Sequence, residues 1–375
     1  MSKKDKAMSK DHKIFTLTRG FIALILLASS SLCVSANNVK QSIHALYIPL
    51  ADHYAALVAY ERYRDKMIHA DFSIEKMGNW DLLRAYFQTG EPDMAFVMSP
   101  LAMDMYREQP DFRWIGLMHR DGNALAINDL FNQQVNVPRL RKDRLPTAAI
   151  AAVLHQHYET TGQAVQIGMP HVLSTHSVVL YRYLKEYGVS MSTSTNRPAE
   201  VLAITVAPPK APAFIKSRSN RAELSAFEQS LPWADVVETQ HFGHIAWYSK
   251  DVMPWPNGHV ECIALASDQA IANKFAASKE VMHYIRQAGE DIEQARLKGG
   301  QALDDIVLIV RKHIPEHNRE AIIASLNPEL KVINYQHLNI DKAGLKQIMD
   351  LAVEGKIISE AIDIDAFADT RFNGE

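Results

Sequence analysis

Short apolar runs alternate along the chain with stretches in which apolar residues recur at helical spacing. Between residues 43 and 128 this pattern predicts strands and helices in turn, and it returns at 129–232 and after 239. Short apolar runs are typical of strands buried on both faces, and their alternation with helices indicates parallel strands. The predicted fold class is therefore α/β, with mixed, mostly parallel sheets.

The stretch "NWDLLRAYFQTGEPDMAFVMSP", residues 79–100, shows the pattern at the level of single residues. It predicts a helix, a turn at Gly90, where a helix end favours a residue free to take a positive φ, and a buried strand over 95–98. The apolar face of this helix is predicted to comprise Leu82, Leu83, Tyr86 and Phe87.

Three further local predictions concern helix ends and one strand. Asp52 is the expected N-cap of the first helix, and Ser174 and Gly188 are expected to open and close the helix "STHSVVLYRYLKEYG". The segment "QVNVPRL", residues 134–140, is predicted to be a strand.

No Gly/Ser-rich or charged spacer divides the chain, so we expect two α/β lobes between which the chain crosses more than once. The predicted organisation is a signal peptide at 1–36, the first part of lobe 1 at 37–128, lobe 2 at 129–238, and the return of lobe 1 with C-terminal helices at 239–375.

The N-terminus has the pattern of a secretory leader. Six basic residues surround or precede the apolar run Phe21–Ala28, which is too short to span a bilayer. The small residues of "VSA" predict cleavage before Asn37, and hence a periplasmic protein. A lipid anchor on Cys33 is the rival interpretation, but it requires a small preceding residue, and Leu32 is large.

Composition and charge narrow the possible functions. A hydrophobic content of 47% and a charged content of 22% are typical of a folded soluble protein. Loss of the leader, whose net charge is +4, changes the net charge from −3 to −7, which gives no general affinity for nucleic acid. Cys262 is then the one remaining cysteine, so neither an internal disulfide nor a cysteine-based metal cluster is expected.

Nucleotide-binding and catalytic signatures are absent from the sequence, including phosphate-binding glycine loops, nucleophile elbows and HExxH. The densest histidine pair, His155 and His157, is a poor chelate because helical residues two apart point in different directions. We therefore predict no enzyme, no catalytic residues, no metal ligands and no cofactor.

Several polar residues fall at predicted helix starts along one sheet edge, where open α/β folds bind ligands. Unpaired N–H groups and the positive end of the dipole allow a helix start to hold an oxyanion. Trp80 and His176 lie in such first turns, and Asn123 begins a strand beside them. Each also has a purely structural explanation, such as packing for Trp80 or helix capping for Ser99.

At these residues the sequence resembles the periplasmic solute-binding proteins of bacterial ABC importers for nitrate, bicarbonate and sulfonates such as taurine. The resemblance covers residues 43–372 and depends on several motifs in one order. These motifs are "IPLADHYAALVAYERY", "WDLLRAYFQTGEPDMAFVMSPLAM", "GNALAI", "STHSVVLYRYLKEYGV", "VAPP", "LPWADVV" and "IDIDAFADTRF".

The resemblance implies a two-lobe periplasmic binding protein fold of type II, with a hinge and a central cleft. It implies that Trp80, Asn123 and His176 hold the oxyanion, with Gly122 before the amide residue. Nitrate-type members carry a lysine near the second crossover, whereas "TQHFGH" here offers His241 instead, which weighs against nitrate. Further candidate ligand-binding residues are Tyr54 and Ser99.

The function expected from the resemblance is the capture of a small oxyanion, of the nitrate, nitrite, bicarbonate or sulfonate type, by cleft closure. The expected partners are the membrane permease and ATPase subunits of an ABC importer, and the protein is expected to be a monomer. A histidine in the site predicts that affinity for an anion falls as pH rises through about 6 to 7. The alternatives are a nitrate sensor of the same fold and a relative that makes the thiamine pyrimidine from histidine and a lysine-bound cofactor.

Overall fold

The computed structural model describes residues 39–374. The predicted signal peptide and Cys33 lie outside the described residues. Within them, the strands form a five-stranded sheet, a six-stranded sheet and a small two-stranded sheet. The strands are β1 (Gln41–Tyr47), β2 (Ala70–Lys76), β3 (Met94–Met98), β4 (Phe112–Leu117), β5 (Arg120–Asp121), β6 (Asn123–Ile127), β7 (Val165–Met169), β8 (Met191–Ser192), β9 (Val201–Thr205), β10 (Ala226–Ser230), β11 (His244–Tyr248), β12 (Cys262–Ser267) and β13 (Ile333–Asn334).

Helices of one to eight turns connect and cover these strands. They are α1 (Tyr54–Tyr63), α2 (Trp80–Phe87), α3 (Ser99–Glu108), α4 (Asp129–Val135), α5 (Ala148–Thr161), α6 (Thr175–Glu186), α7 (Ala211–Ser219), α8 (Trp233–Thr239), α9 (Ser249–Val252), α10 (Asp268–Lys298), α11 (Gly300–His313), α12 (Arg319–Ser325), α13 (Lys342–Glu354) and α14 (Ile364–Phe367).

Each large sheet is mostly parallel and contains one antiparallel strand. The first sheet has the order β2-β1-β3-β12-β4, in which β12 runs antiparallel to both neighbours. The second has the order β11-β6-β10-β7-β9-β8, in which β6 runs antiparallel to both neighbours. The prediction of an α/β fold with mixed, mostly parallel sheets is confirmed.

The chain crosses between the two large sheets twice. It leaves the first sheet after β4 through residues 118–122 and returns to β12 through residues 249–261. The two crossing segments are joined by backbone hydrogen bonds, from the N–H of Met118 to the carbonyl of Cys262 (2.9 Å) and from that of Asp121 to His259 (3.1 Å). The second sheet is thus built from residues 123–248, while the lobe boundaries at 128 and 238 stay predictions.

Side-chain caps explain where several helices begin. Oδ1 of Asn79 accepts from the N–H of Leu82 (2.9 Å) at the start of α2, and Oγ of Ser174 accepts from Ser177 (3.1 Å) at the start of α6. Such caps satisfy N–H groups that the helix itself leaves unpaired. The predictions for Ser174, and for positive φ at Gly90 and Gly188, are confirmed.

The predicted strand at 134–140 is wrong. Asn128 caps a helix there, with its Oδ1 accepting from the N–H of Phe131 (3.0 Å), and the helix ends at Asn136, which is left-handed with a φ of 51°. The local cap therefore outweighs the alternating pattern of the segment. The prediction that Asp52 is an N-cap is also wrong, because Asp52 lies inside a 3-10 turn at Ala51–His53 and makes no capping bond.

The C-terminal part of the chain contacts both halves of the fold. Helix α13 packs against α3, which follows a strand of the first sheet, and against α6, which precedes strands of the second. Lys185 of α6 pairs with Glu354 at the end of α13. Within residues 39–374, no helix has both the length and the apolar character needed to cross a bilayer.

Two adjacent leucines of α2 differ sharply in burial. Leu83 is fully buried, whereas Leu82 is 56% exposed, so the predicted apolar face is wrong at Leu82. We expect Leu83→Ala to lower the free energy of unfolding by about 2 to 5 kcal/mol, because it leaves a cavity, and Leu82→Ala to change it by less than about 0.5 kcal/mol. Urea denaturation followed by circular dichroism measures both, and equal effects would contradict this placement of α2.

Candidate functional site

Buried polar side chains from both large sheets and both crossing segments meet in one interior region, here called the polar centre. Its members come from the turn before α1, the first crossing segment, the starts of β6 and α6, the end of β10, and the start of β12. The polar centre consists of Asp52, His53, His119, Asn123, His176, Ser230, Glu261 and Cys262, all fully buried.

Asp52 is the ionised group of the polar centre. Its Oδ2 accepts from Oγ of Ser230 (3.0 Å) and lies 3.6 Å from Nε2 of His119. Burial alone raises the pKa of a carboxyl group, but His119, with smaller contributions from His53 and His176, holds the pKa of Asp52 below its usual value. A carboxylate therefore remains charged in the interior.

Two histidines of the polar centre are neutral, and neighbouring groups hold each ring in place. Burial lowers the pKa of His53 to about 4 and that of His176 to about 3. Nδ1 of His53 lies 2.8 Å from the carbonyl oxygen of Ile48 and 3.0 Å from its backbone nitrogen, and Nε2 lies 3.1 Å from Sγ of Cys262. Because the Ser230 hydroxyl donates to Asp52, it accepts from Nε2 of His176 (2.9 Å).

This arrangement changes what His176 can do. Its ring N–H, predicted to hold an anion, is used by Ser230, and its bare Nδ1 faces Oε1 of Glu261 at 3.5 Å. A histidine with a pKa of about 3 carries no charge between pH 6 and 7, so His176 does not supply the pH dependence expected from the sequence, which stays a prediction.

The remaining acids of the polar centre are neutral. Burial, together with the charge of Asp52, raises the pKa of Glu261 well above its usual value, an effect that Thr175 and Asn123 partly offset. Burial likewise raises the pKa of the Cys262 thiol. The polar centre thus combines one carboxylate with neutral acids and with the neutral imidazoles of His53 and His176.

Several atoms of this region have no hydrogen-bond partner within the described chain. They are both ring nitrogens of His119, both side-chain polar atoms of Asn123, Oδ1 of Asp52 and Nε1 of the buried Trp80. A buried polar group without a partner costs about 1 to 3 kcal/mol, and native proteins contain few of them. Their concentration in one place marks this region as the candidate binding site.

The structure brings together four of the seven residues predicted for the site. Trp80 lies against the polar centre, with its ring 6.1 Å from that of His53, and Asn123 and His176 are members of it. Gly122 takes a φ of 95° in the turn into β6, where a Cβ would lie 3.1 Å from Nδ1 of His119. A glycine is therefore needed at this position.

The other three predicted residues lie further from the polar centre or make other contacts. Oγ of Ser99 lies 3.5 Å from Oγ1 of Thr175, so it links the starts of α3 and α6. The hydroxyl of Tyr54 forms a hydrogen bond with Nδ1 of His317 (2.9 Å). His241 is exposed after α8 and lines a surface hollow with Arg139 and Glu238, so the structure does not bring it to the polar centre.

Sequence reasoning missed six members of the polar centre, namely Asp52, His53, His119, Ser230, Glu261 and Cys262. One available indication was that Asp52 and Glu261 interrupt apolar runs, "PLADHYAALVAY" and "HVECIALAS", whose other residues are nearly all buried. A charge in such a run is either paired or functional. Three of the missed residues offer metal-ligand atoms, since one atom each of Asp52, His119 and Cys262 lies within 4.8 Å of the other two.

The family model of the NMT1-like family matches residues 36–298. A search of the curated proteins found no match.

Solved structures with the periplasmic binding protein fold match nearly the whole chain, which confirms the predicted fold. The periplasmic nitrate-binding protein NrtA from Synechocystis PCC 6803 has a TM-score of 0.72 and 15% identity, over 89% of this chain and 87% of that one. The zinc-bound ligand-binding component of an ABC-type import system from Staphylococcus aureus has a TM-score of 0.69 and 17% identity, over 89% and 98%. The MOPS-bound alkanesulfonate-binding protein SsuA from Xanthomonas axonopodis pv. citri has a TM-score of 0.60 and 12% identity, over 85% and 95%.

The buried histidines make stability depend on pH. Burial lowers the pKa of His317 to about 3. As pH falls below about 6.5, the histidine binds a proton in the unfolded chain but not in the folded chain, so the free energy of unfolding decreases. We expect His317→Gln to remove about 1 to 2 kcal/mol of the loss between pH 6.5 and pH 5, at about 1.4 kcal/mol per pH unit. Urea titrations of both proteins at the two pH values measure the difference, and identical losses would contradict a depressed pKa.

Proposed function

The chain belongs to the NMT1-like family, and from this premise we propose that it is the solute-binding component of an ABC importer. The observation that carries the proposal is the polar centre, where partnerless polar atoms from both sheets meet. Ligands of open α/β folds bind outside the carboxyl ends of strands. Asp52 follows β1 and Ser230 ends β10, which agrees with that placement.

Cleft closure is the proposed way in which the solute is captured. The hydrogen bond from Ser230 to Asp52 (3.0 Å) joins residues next to different sheets, and the contact between Ser99 and Thr175 joins two helix starts in the same way. Within residues 39–374, only the crossing segments 118–122 and 249–261 connect the two sheets through the chain. We propose that they form the hinge, and that a solute shifts the equilibrium by its preference for the closed state.

The proposed location is the periplasm, reached through a cleaved leader at residues 1–36. The leader also favours transport over a cytoplasmic sensor of the same fold. The proposed partners are the permease and ATPase subunits of the importer, and the proposed state is a monomer. An enzyme that holds its cofactor on a lysine has less support, because the polar centre as defined contains no lysine.

The charge of the polar centre bears on the class of solute. The predicted oxyanion could accept from Asn123 and from neutral Glu261, but it would also lie near the carboxylate of Asp52. Two like charges at close range in a buried site repel strongly. A small oxyanion therefore stays a prediction, and the surroundings of Asp52 favour a solute that brings positive charge.

A thermal-shift screen of residues 37–375 tests the proposed function. The panel contains nitrate, nitrite, bicarbonate, taurine, alkanesulfonates, pyrimidines and divalent metal ions. A ligand that binds only the folded protein raises the midpoint as its concentration increases. A concentration-dependent rise with at least one compound supports the proposal, and a flat response to the whole panel at millimolar concentrations contradicts it.

Asn123→Ala tests whether the partnerless amide contributes to binding. We expect it to weaken the affinity for the compound found in the screen by about tenfold or more, because a hydrogen bond to a buried group contributes about 1 to 3 kcal/mol. His283→Ala, an exposed position on α10, is the matched control and should leave the affinity unchanged. Calorimetry measures both, and equal affinities would remove Asn123 from the site.

A further inference from the structure

We propose that the polar centre binds a divalent transition-metal ion of the zinc type through Asp52, His119 and Cys262. The inference rests on the proposed function and deepens it, because it names the chemical class of the solute. It depends on the geometry of three side chains and on the atoms of His119 and Asp52 that have no hydrogen-bond partner within the described chain.

The three ligand atoms have nearly the spacing that a single ion requires. A carboxylate oxygen, an imidazole nitrogen and the sulfur lie within 4.8 Å of one another. Tetrahedral zinc, with bonds of about 2.0 to 2.3 Å, separates its ligand atoms by roughly 3.3 to 3.8 Å. Nε2 of His119 and Oδ2 of Asp52, 3.6 Å apart, already lie in that range, so small side-chain movements complete the set.

His119 is the most specific of the three ligands. It is fully buried, and neither ring nitrogen has a hydrogen-bond partner within the described chain. Because Gly122 has no Cβ, it leaves room beside Nδ1 of His119. No hydrogen bond within the described chain accounts for the burial of this imidazole. A neutral imidazole nitrogen is a common metal ligand, and metal binding would account for it.

Cys262 is held in position by a neighbour. Nε2 of His53 lies 3.1 Å from Sγ of Cys262, and the backbone of Ile48 fixes the His53 ring through Nδ1. Hydrogen bonds of this kind commonly orient metal ligands from outside the ligand set. His53 is therefore a positioning residue for Cys262.

Charge and proton balance favour a divalent ion. The ion would displace the thiol proton of Cys262, which leaves to solvent, and a metal–sulfur bond forms. The charge of +2 is then neutralised by one thiolate and by the Asp52 carboxylate, while His119 binds as a neutral ligand.

The donor set selects among metals. One sulfur, one nitrogen and one oxygen suit zinc, cobalt, nickel or copper, whereas magnesium and calcium require oxygen ligands. Three protein ligands leave one tetrahedral position, which a water molecule or a small anion can take. An anion such as those predicted from the sequence could thus accompany the ion in this position.

The test uses the mature chain, residues 37–375, after treatment with a chelator. We expect zinc and cobalt to bind with a stoichiometry of one per chain, measured by calorimetry and by elemental analysis after gel filtration. Cobalt should give a near-ultraviolet charge-transfer band from a thiolate ligand, and magnesium and calcium should not bind. Absence of stoichiometric zinc and cobalt binding would overturn the inference.

Matched variants identify the ligands. Cys262→Ser should abolish the cobalt charge-transfer band, and Asp52→Asn and His119→Gln should each weaken zinc binding at least tenfold while the band persists at saturating cobalt. His283→Gln, which replaces an exposed histidine on α10, should bind as the unchanged chain does. Circular dichroism of the metal-free variants confirms that each is folded, and His53→Gln provides a second test of Cys262 if Cys262→Ser does not fold.

Two outcomes separate this inference from the proposed function. If zinc and cobalt do not bind but an anion or pyrimidine of the thermal-shift panel does, the metal site is wrong and the solute-binding role stands. If zinc binding is unchanged in all three ligand variants, the ion lies elsewhere and the inference is likewise overturned. If neither metals nor any compound of the panel bind, both proposals fail together.

Discussion

The carboxylate of Asp52 is buried, and the side chains around it must compensate its charge. A charge removed from water is costly unless hydrogen bonds or an opposite charge compensate it. Here Ser230 supplies one hydrogen bond and His119 an imidazole at 3.6 Å. The surrounding groups are kept neutral by the same burial that makes the charge costly, so their pKa values shift away from ionisation. The negative electrostatic potential of the interior is therefore localised at Asp52, because the neighbouring acidic groups are neutral.

The topology explains how such a site can exist in a chain with an otherwise apolar core. Each large sheet ends several strands at the same edge, and the residues that follow those strands have no ladder partners to satisfy. The two crossing segments place β6 and β12 antiparallel in their sheets, so that the starts of these strands bring Asn123 and Cys262 to the same region. Polar atoms from distant parts of the sequence therefore meet although each sheet is regular.

The sequence predicted much of the local structure, because the determinants are local. The apolar runs of β3 and β12 and the Ser174 cap identify their elements within a few residues. The segment after Asn128 was misassigned because a single cap outweighed an alternating pattern of apolar residues. Leu82 was misassigned because periodicity places a residue on a face but does not show where burial ends.

The candidate site was only partly predictable for a related reason. Trp80, Asn123 and His176 could be found because each begins an element at the ligand-binding edge. The pairing of Asp52 with Ser230 joins residues 178 positions apart, and that of His53 with Cys262 joins residues 209 apart. No periodicity within one element encodes such contacts. His241 has suitable chemistry but lies on the surface, which a motif comparison alone does not reveal.

Helix α13 has a mechanical consequence for the whole molecule. It packs at once on α3 and on α6, and Lys185 pairs with Glu354 at its end. A single helix cannot move with both α3 and α6 if these two helices separate. Any opening of the interior therefore requires α13 to lose its contacts with one of them. The contacts of α13 therefore stabilise the arrangement in which α3 and α6 lie close together.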